Sequence, residues 1–293
     1  MKSTLFCMHV MPHEIEMLER FMKQYRKALS YLDDTDNFTM KVSLNLNPNL
    51  TNWEDSELKQ DYFVDKFNTL FDGIKNINQI HLDDSLWGTT QQKRESIKLL
   101  YDQFIFCDAD ILLHEHLLKY QLNTSYQIHN QMYIISPAIP KWWDTSWDVI
   151  THSGLIDKPL GYAHSQEAVD NAFTQNTDDV SLVVVPMAKF GCGMHTLYSR
   201  TFWNWTGIPE SFGGYGPEDT YGMNCIEVAR KHGFEVNQYF LDGIYITEDY
   251  INTKPSFDGK VVRIDKKREF YDKAHALGRD ELIKFAKRIL NLS

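Results

Sequence analysis

Apolar runs of strand length, separated by stretches of helical periodicity, constrain this chain more than any other feature. Residues 4–10 read as a short buried strand, and residues 13–32 follow with Ile15, Leu18, Phe21, Met22 and Tyr25 on one helical face. Residues 39–46 largely alternate apolar and polar and read as a second strand, which Asn47-Pro48-Asn49 ends. Residues 51–78 are mostly polar and helical at best, 92–101 read as a helix, and Phe104-Ile105-Phe106-Cys107 as a buried strand. This strand–helix–strand order predicts an α/β fold with a mostly parallel central sheet flanked by helices. Further strands are expected at 132–136, at Leu182-Val183-Val184-Val185 as a buried strand, and at 243–247. A helix is expected to end at His232, and one or two helices to cover 266–292. No repeat or linker divides the sequence, so one domain over 1–293 is expected.

The decapeptide FIFCDADILL sets Asp108 and Asp110 directly after a buried strand. On extended backbone, residues two apart point to the same side. The C-terminal edge of a parallel strand is where α/β sheets bind ligands. Two carboxylates so close need a cation or strong hydrogen bonds. A hard cation, Mn²⁺ or Mg²⁺, accepts carboxylate and diphosphate oxygens together. The same triplet also reads as an exposed acidic turn after a core strand.

Charge and cysteine usage narrow the partners. A net charge of -10 and a pI near 5.5 oppose nucleic acid and anionic membranes, unless a local basic patch overrides them. The clearest basic cluster, Lys266-Lys267-Arg268, reads as a solvated helix start. Cys7, Cys107, Cys192 and Cys225 form no CxxC pair and are expected to be reduced and mostly buried. No apolar stretch approaches the roughly 20 residues that span a bilayer. A cytoplasmic protein is the simplest expectation. The histidines show no metal-ligand spacing, and no Ser-His or Cys-His pattern marks a nucleophile.

A second constellation is more specific. The segment FGCGMHTLYSRTFWNWTGIPESFGGYGPEDTYGM carries Phe190-Gly191, Leu197 with Phe202, Gly207-Ile208-Pro209, and Gly214-Tyr215-Gly216-Pro217-Glu218-Asp219. In this order, and with Asp108/Asp110 upstream, it resembles the C-terminal segment of the β-1,4-galactosyltransferase family and its relatives. The motifs cover about a third of the chain. The resemblance implies a GT-A fold and inverting sugar transfer from a nucleotide-diphosphate donor, with a UDP-sugar favoured. The acceptor expected is a hydroxyl of a glycan or glycoside.

The resemblance also implies roles. Asp219 would be the base that takes the acceptor proton. Glu218 would bind acceptor hydroxyls, with Tyr215, which replaces the family's Trp, and Trp205 as aromatic contacts. Asp108 and Asp110 would hold Mn²⁺ or Mg²⁺, and Glu248 stands where the family places a late His. Donor contacts are expected from His9 at the first strand end, from Arg94 (favoured slightly over Lys93), and from Gly193, Asp108 and Asp110. Residues 1–116 would form the nucleotide-sugar half, 117–265 the acceptor half, and 266–293 terminal helices. Alternatives stay open: the same chemistry on a modified nucleic-acid base or lipid carrier, or a non-catalytic carbohydrate-binding relative. A sugar nucleotidyltransferase is disfavoured, because HVMPHEIEML is not a Gly-rich basic phosphate loop.

Overall fold

The computed structural model describes residues 2–15, 17–33, 37–46, 60–74, 76–81, 88–129, 132–138, 170, 172, 174–184, 194–214, 216–249 and 264–292. Among these residues an eight-stranded sheet runs in the order β3-β2-β1-β4-β8-β6-β9-β7. Its N-terminal half is parallel: β1 (Thr4–Val10) lies between β2 (Phe38–Asn45) and β4 (Gln103–Cys107), and β3 (Asn76–His81) pairs with β2. Beyond β4, β8 (His195–Ser199) enters antiparallel between β4 and β6 (Tyr133–Ala138). The sheet ends in β9 (Asn237–Tyr245), parallel to β6, and β7 (Ser181–Val184), antiparallel to β9. A two-stranded ribbon pairs β5 (Ile111–Leu112) with β10 (Thr247–Glu248).

Alternation along β1 sorts the two layers. Phe6, Met8 and Val10 face α1 (Met17–Ser30) and α2 (Gln60–Phe71). Helix α1 answers with Leu18, Phe21, Met22, Tyr25 and Ala28, a stripe at helical spacing, and α2 with Phe63, Phe67 and Phe71. Helix α4 (Leu117–Gln127) completes this layer. On the opposite face Leu5, Cys7, Phe104, Phe106 and Tyr198 pack with α5 (Arg200–Thr206) and α6 (Glu218–Lys231). The C-terminal helix α7 (Ile264–Ile289) closes over Phe212, Tyr221 and Cys225 through Phe285. Cys7, Cys107 and Cys225 are buried free thiols, as expected. None of the described helices is long and apolar enough to cross a membrane.

Several expected elements differ. Helix α3 covers only Thr89–Ser96, because the chain turns at Ile97 and leaves Leu100 92% exposed. β7 is not buried: as an edge strand with one neighbour it leaves Leu182, Val183 and Val184 exposed. The expected strand over 243–247 is the end of β9 plus β10, while the one or two helices expected over 266–292 are the single α7. Strands β3 and β8 were not expected from sequence, and α2 lies within the stretch 51–78 read as helical at best.

Candidate active site

Asp108 of the first motif meets Glu218 and Asp219 of the second at the C-terminal edge of β4. That strand ends at Cys107, and Asp108 to Asp110 form the turn into β5. Ala109 is buried there while Asp108 and Asp110 are half-buried, in a turn and not in extended strand. Two backbone bonds fix the turn: Asp108 N–H donates to Met194 O at 2.8 Å, and Asp249 N–H to Asp110 O at 2.6 Å. The β5–β10 ladder sets Glu248 opposite Ile111. Asp249 is buried and ion-paired with Arg20 of α1 at 3.0 Å, which tethers this ribbon to the first helix.

Helix α6 delivers the second motif. Glu218 and Asp219 open it, where its dipole favours negative charge. Glu218 is buried; Thr90 Oγ1 donates to its Oε2 at 2.6 Å, and Lys93 Nζ pairs with its Oε1. Burial works against the charge on Lys93, but Glu218, then Asp108, then Asp219 outweigh it and hold the ammonium protonated. Asp219 accepts the Thr220 N–H at 2.6 Å. Burial, then Glu218, raises its pKa to about 6; Lys93 and the Thr220 N–H oppose the rise, and Asp108 adds to it. One buried lysine thus stands among carboxylates from two motifs far apart in sequence.

The loop before α6 is anchored by the start of α3. That helix has no side-chain cap at Gly88; instead Thr90 N–H and Gln91 N–H donate to Gly214 O at 3.0 and 3.4 Å. Thr90 Oγ1 also accepts the Gly216 N–H at 2.7 Å. A Cβ on Gly88 would lie 2.0 Å from Gly214 O, so close backbone approach requires glycine there.

Other expected residues fall elsewhere. Arg94 was expected at the donor, but its guanidinium donates to the carbonyls of Ile208, Pro209 and Gly213 at 3.0, 2.6 and 3.1 Å. The cation set beside the carboxylates is Lys93, one helical step of about 100° away. Trp205, expected as an acceptor platform, packs its ring on Phe234 and Phe285 at 5.3 and 5.1 Å, under the C-terminal helix. His9 lies at the end of β1, level with Asp108, because Met8 pairs with Cys107. Gly193, Tyr215, Asn47, Trp142, Trp143, Trp147 and Cys192 lie outside the described residues, as does the side chain of Glu248. Sequence reasoning missed Thr90, whose signal was its place three residues before Lys93 at a helix start. It also missed the buried polar face of β2.

Asp108 and Asp110 are hard oxygen donors, and the ribbon brings the backbone of a third acidic residue beside them. This donor set suits a divalent cation with positions left open for ligand oxygens. Among the described residues no group of three or more His, Cys, Asp or Glu is placed to hold a metal ion.

No protein-family model and no curated protein sequence matches the chain. Among solved structures, the fold is similar to the mannosyltransferase PcManGT from Pyrobaculum calidifontis in complex with GDP-Man and Mn²⁺. The TM-score is 0.50 at 10% identity, covering 87% of this chain and 59% of that one. Two structures of S. aureus TarS align over 82% of this chain at 11% identity, with TM-scores of 0.45 and 0.47. They are covered over 60% and 36% of their own lengths, so this chain spans less than two thirds of each of the three. A sheet parallel through β3-β2-β1-β4, crossed by antiparallel β8 and flanked by helices, has the GT-A architecture of glycosyltransferases.

Proposed function

We propose that this chain is a metal-dependent inverting glycosyltransferase that moves a sugar from a nucleotide-diphosphate donor, UDP-sugars being favoured, to a hydroxyl of a glycan or glycoside. The observation that carries the reading is the convergence of Asp108, Glu218 and Asp219 around Lys93 at one strand edge. In-line attack needs one carboxylate to take the acceptor proton, and Asp219, ionised at neutral pH, is the base. Glu218 is fixed by Thr90 and Lys93, and its oxygens keep further lone pairs for acceptor hydroxyls. Lys93 pairs with Glu218, and its positive charge opposes the rise in the Asp219 pKa. The cation that Asp108 and Asp110 would hold, with Glu248 as third carboxylate, supplies neutralisation of charge on the departing diphosphate. His9 and Gly193 are assigned to the donor, and Tyr215 to the acceptor. That PcManGT is in complex with GDP-Man and Mn²⁺ is consistent with this donor class.

Thermal melting with UDP-, GDP-, CMP- and dTDP-sugars, in Mn²⁺, in Mg²⁺ and in EDTA, tests the reading, because a ligand of the native state raises Tm by mass action. One nucleotide sugar should stabilise the protein only with metal, and Asp110→Asn should abolish the shift. No shift with any donor under any metal condition overturns the assignment.

A further inference from the structure

The ribbon that follows the Asp108–Asp110 turn stands outside the main sheet. Each of its strands, β5 and β10, has two residues. A two-stranded ribbon is marginally stable by itself, so other contacts must hold it still. Its pairing runs on past Ile111 and Glu248 to the bond from Asp249 N–H to Asp110 O, 2.6 Å long. That bond fixes the backbone of Asp110, and with it the direction in which the side chain leaves the chain.

Helix α1 grips both strands of the ribbon. Arg20 and Gln24 stand four residues apart and share a helix face. Arg20 Nη1 pairs with Asp249 Oδ1 at 3.0 Å, and Gln24 Oε1 accepts the Leu113 N–H at 3.2 Å. The two contacts catch the chain just past β10 and just past β5. Further along α1, Lys27 pairs with Glu115, but that pair is exposed and contributes little. The Arg20–Asp249 pair differs, because the side chain of Asp249 is only 3% exposed. Burying a carboxylate has a desolvation cost that an apolar contact avoids. The helix does not need the pair for docking, since Leu18, Phe21, Met22 and Tyr25 already seat it on the core. What the pair adds is direction: a planar guanidinium on a rigid helix holds a carboxylate in one orientation. A metal ligand needs that constancy, because metal–ligand distances hold to within about 0.2 Å.

Resting on the metal reading above, we infer that Arg20 and Asp249 are positioning residues: their ion pair holds the Asp249 backbone against Asp110 and so sets the Asp110 carboxylate for a divalent cation. They act through Asp110, and α1 is the rigid element that fixes them.

The test is Mn²⁺ binding to the full chain, read from loss of the free-ion EPR signal, with Mn²⁺ alone and with UDP or GDP present against a nucleotide blank. Arg20→Met and Asp249→Asn should each weaken Mn²⁺ binding by about 10- to 100-fold, as loss of a group that orients a metal ligand does. The two substitutions change local charge in opposite senses. A purely electrostatic influence would tighten Mn²⁺ binding in Arg20→Met and weaken it in Asp249→Asn, so weakening in both is the mark of positioning. Arg20→Lys, which keeps the charge but not the planar fork, should fall between Arg20→Met and the wild type. Ala28→Gly loosens the same helix away from the ribbon; it should lower Tm and leave Mn²⁺ affinity within about threefold. The inference is overturned if Arg20→Met or Asp249→Asn binds Mn²⁺ within about threefold of the wild type, if the two shift in opposite directions, or if Ala28→Gly weakens binding as much as they do. If the wild type binds no Mn²⁺ under any of these conditions, the metal reading falls and this inference with it.

Discussion

Asp219 has Glu218 and Asp108 as neighbouring negative charges and Lys93 as the opposing positive one, and its pKa rises to about 6. As the base it must be ionised, so kcat/KM should climb through about pH 6 and level off above pH 7. Asp219→Asn should lower kcat by about 10²- to 10⁴-fold. The same shift has a sign for stability. An acid whose folded pKa lies above its unfolded value of 3.8 holds its proton more tightly when folded, so stability falls as pH rises from about 4 to 6. In EDTA at pH 7, Asp219→Asn should therefore melt no lower than the wild type, and a clear loss of Tm would show that the charge is stabilising. His195 runs the other way. Fully buried in β8, with neither ring nitrogen hydrogen-bonded, it has a pKa lowered by burial to about 4. The unfolded chain takes up the proton first, so about 3 kcal/mol of stability should be lost between about pH 6.5 and 4. His195→Leu should flatten that limb in pH-dependent denaturant melts. Lys93→Met should destabilise by about 3–5 kcal/mol, because it strands the buried Glu218 carboxylate. Adding Glu218→Gln should recover part of that loss, and a fully additive double mutant would show that the pair is not coupled.

At the scale of elements, the junction of α3 with the loop before α6 joins the two motifs. Gly88→Ala is strained by contact alone, since Gly88 has an extended backbone that any residue adopts. The new methyl must push Gly214 away, which should cost about 1–3 kcal/mol. It should lower kcat/KM for acceptor, because Gly216 and Glu218 move with Thr90, while metal-dependent donor binding changes less. Equal losses in both would place the damage in the whole fold. This junction marks where sequence reading stops. The run Phe104–Cys107 and the two acidic motifs could be read directly, because burial and charge are local properties. Which side chain of α3 faces the carboxylates could not. A helix turns about 100° per residue, and with its start read at Gln92 instead of Thr89, Arg94 was favoured slightly over Lys93. Apolar Ile97, Leu99 and Leu100 extended the helical pattern past its true end at Ser96. Strand β3, NINQIH, lacks the apolar signal of a buried strand, and β7 carries that signal while lying exposed at the opposite edge. Position in the sheet, which decides both, is a long-range property.

Across the whole molecule, one sheet draws strands from both proposed halves, and β8 of the acceptor half lies directly against β4, which ends at Asp108. The clustered carboxylates are thus a consequence of strand order, and the cations near them are already committed. Lys93 is paired to Glu218, Arg94 is spent on three carbonyls, and Arg20 is paired to Asp249. Among the described residues, no row of unpaired cations lines this edge to follow a phosphate backbone. With a net charge of -10, long-range electrostatics also repel polyanions. A neutral glycan pays no such penalty. Fluorescence anisotropy with labelled single-stranded and duplex DNA at 50 mM salt should therefore show no binding at micromolar protein. For a neutral acceptor, affinity should change less than about twofold between 50 and 200 mM salt. A protein neutralising 6–10 phosphates would lose about 10³- to 10⁵-fold over the same range. Micromolar, steeply salt-dependent binding of either oligonucleotide would move the acceptor from glycans to nucleic-acid bases while leaving the donor chemistry in place.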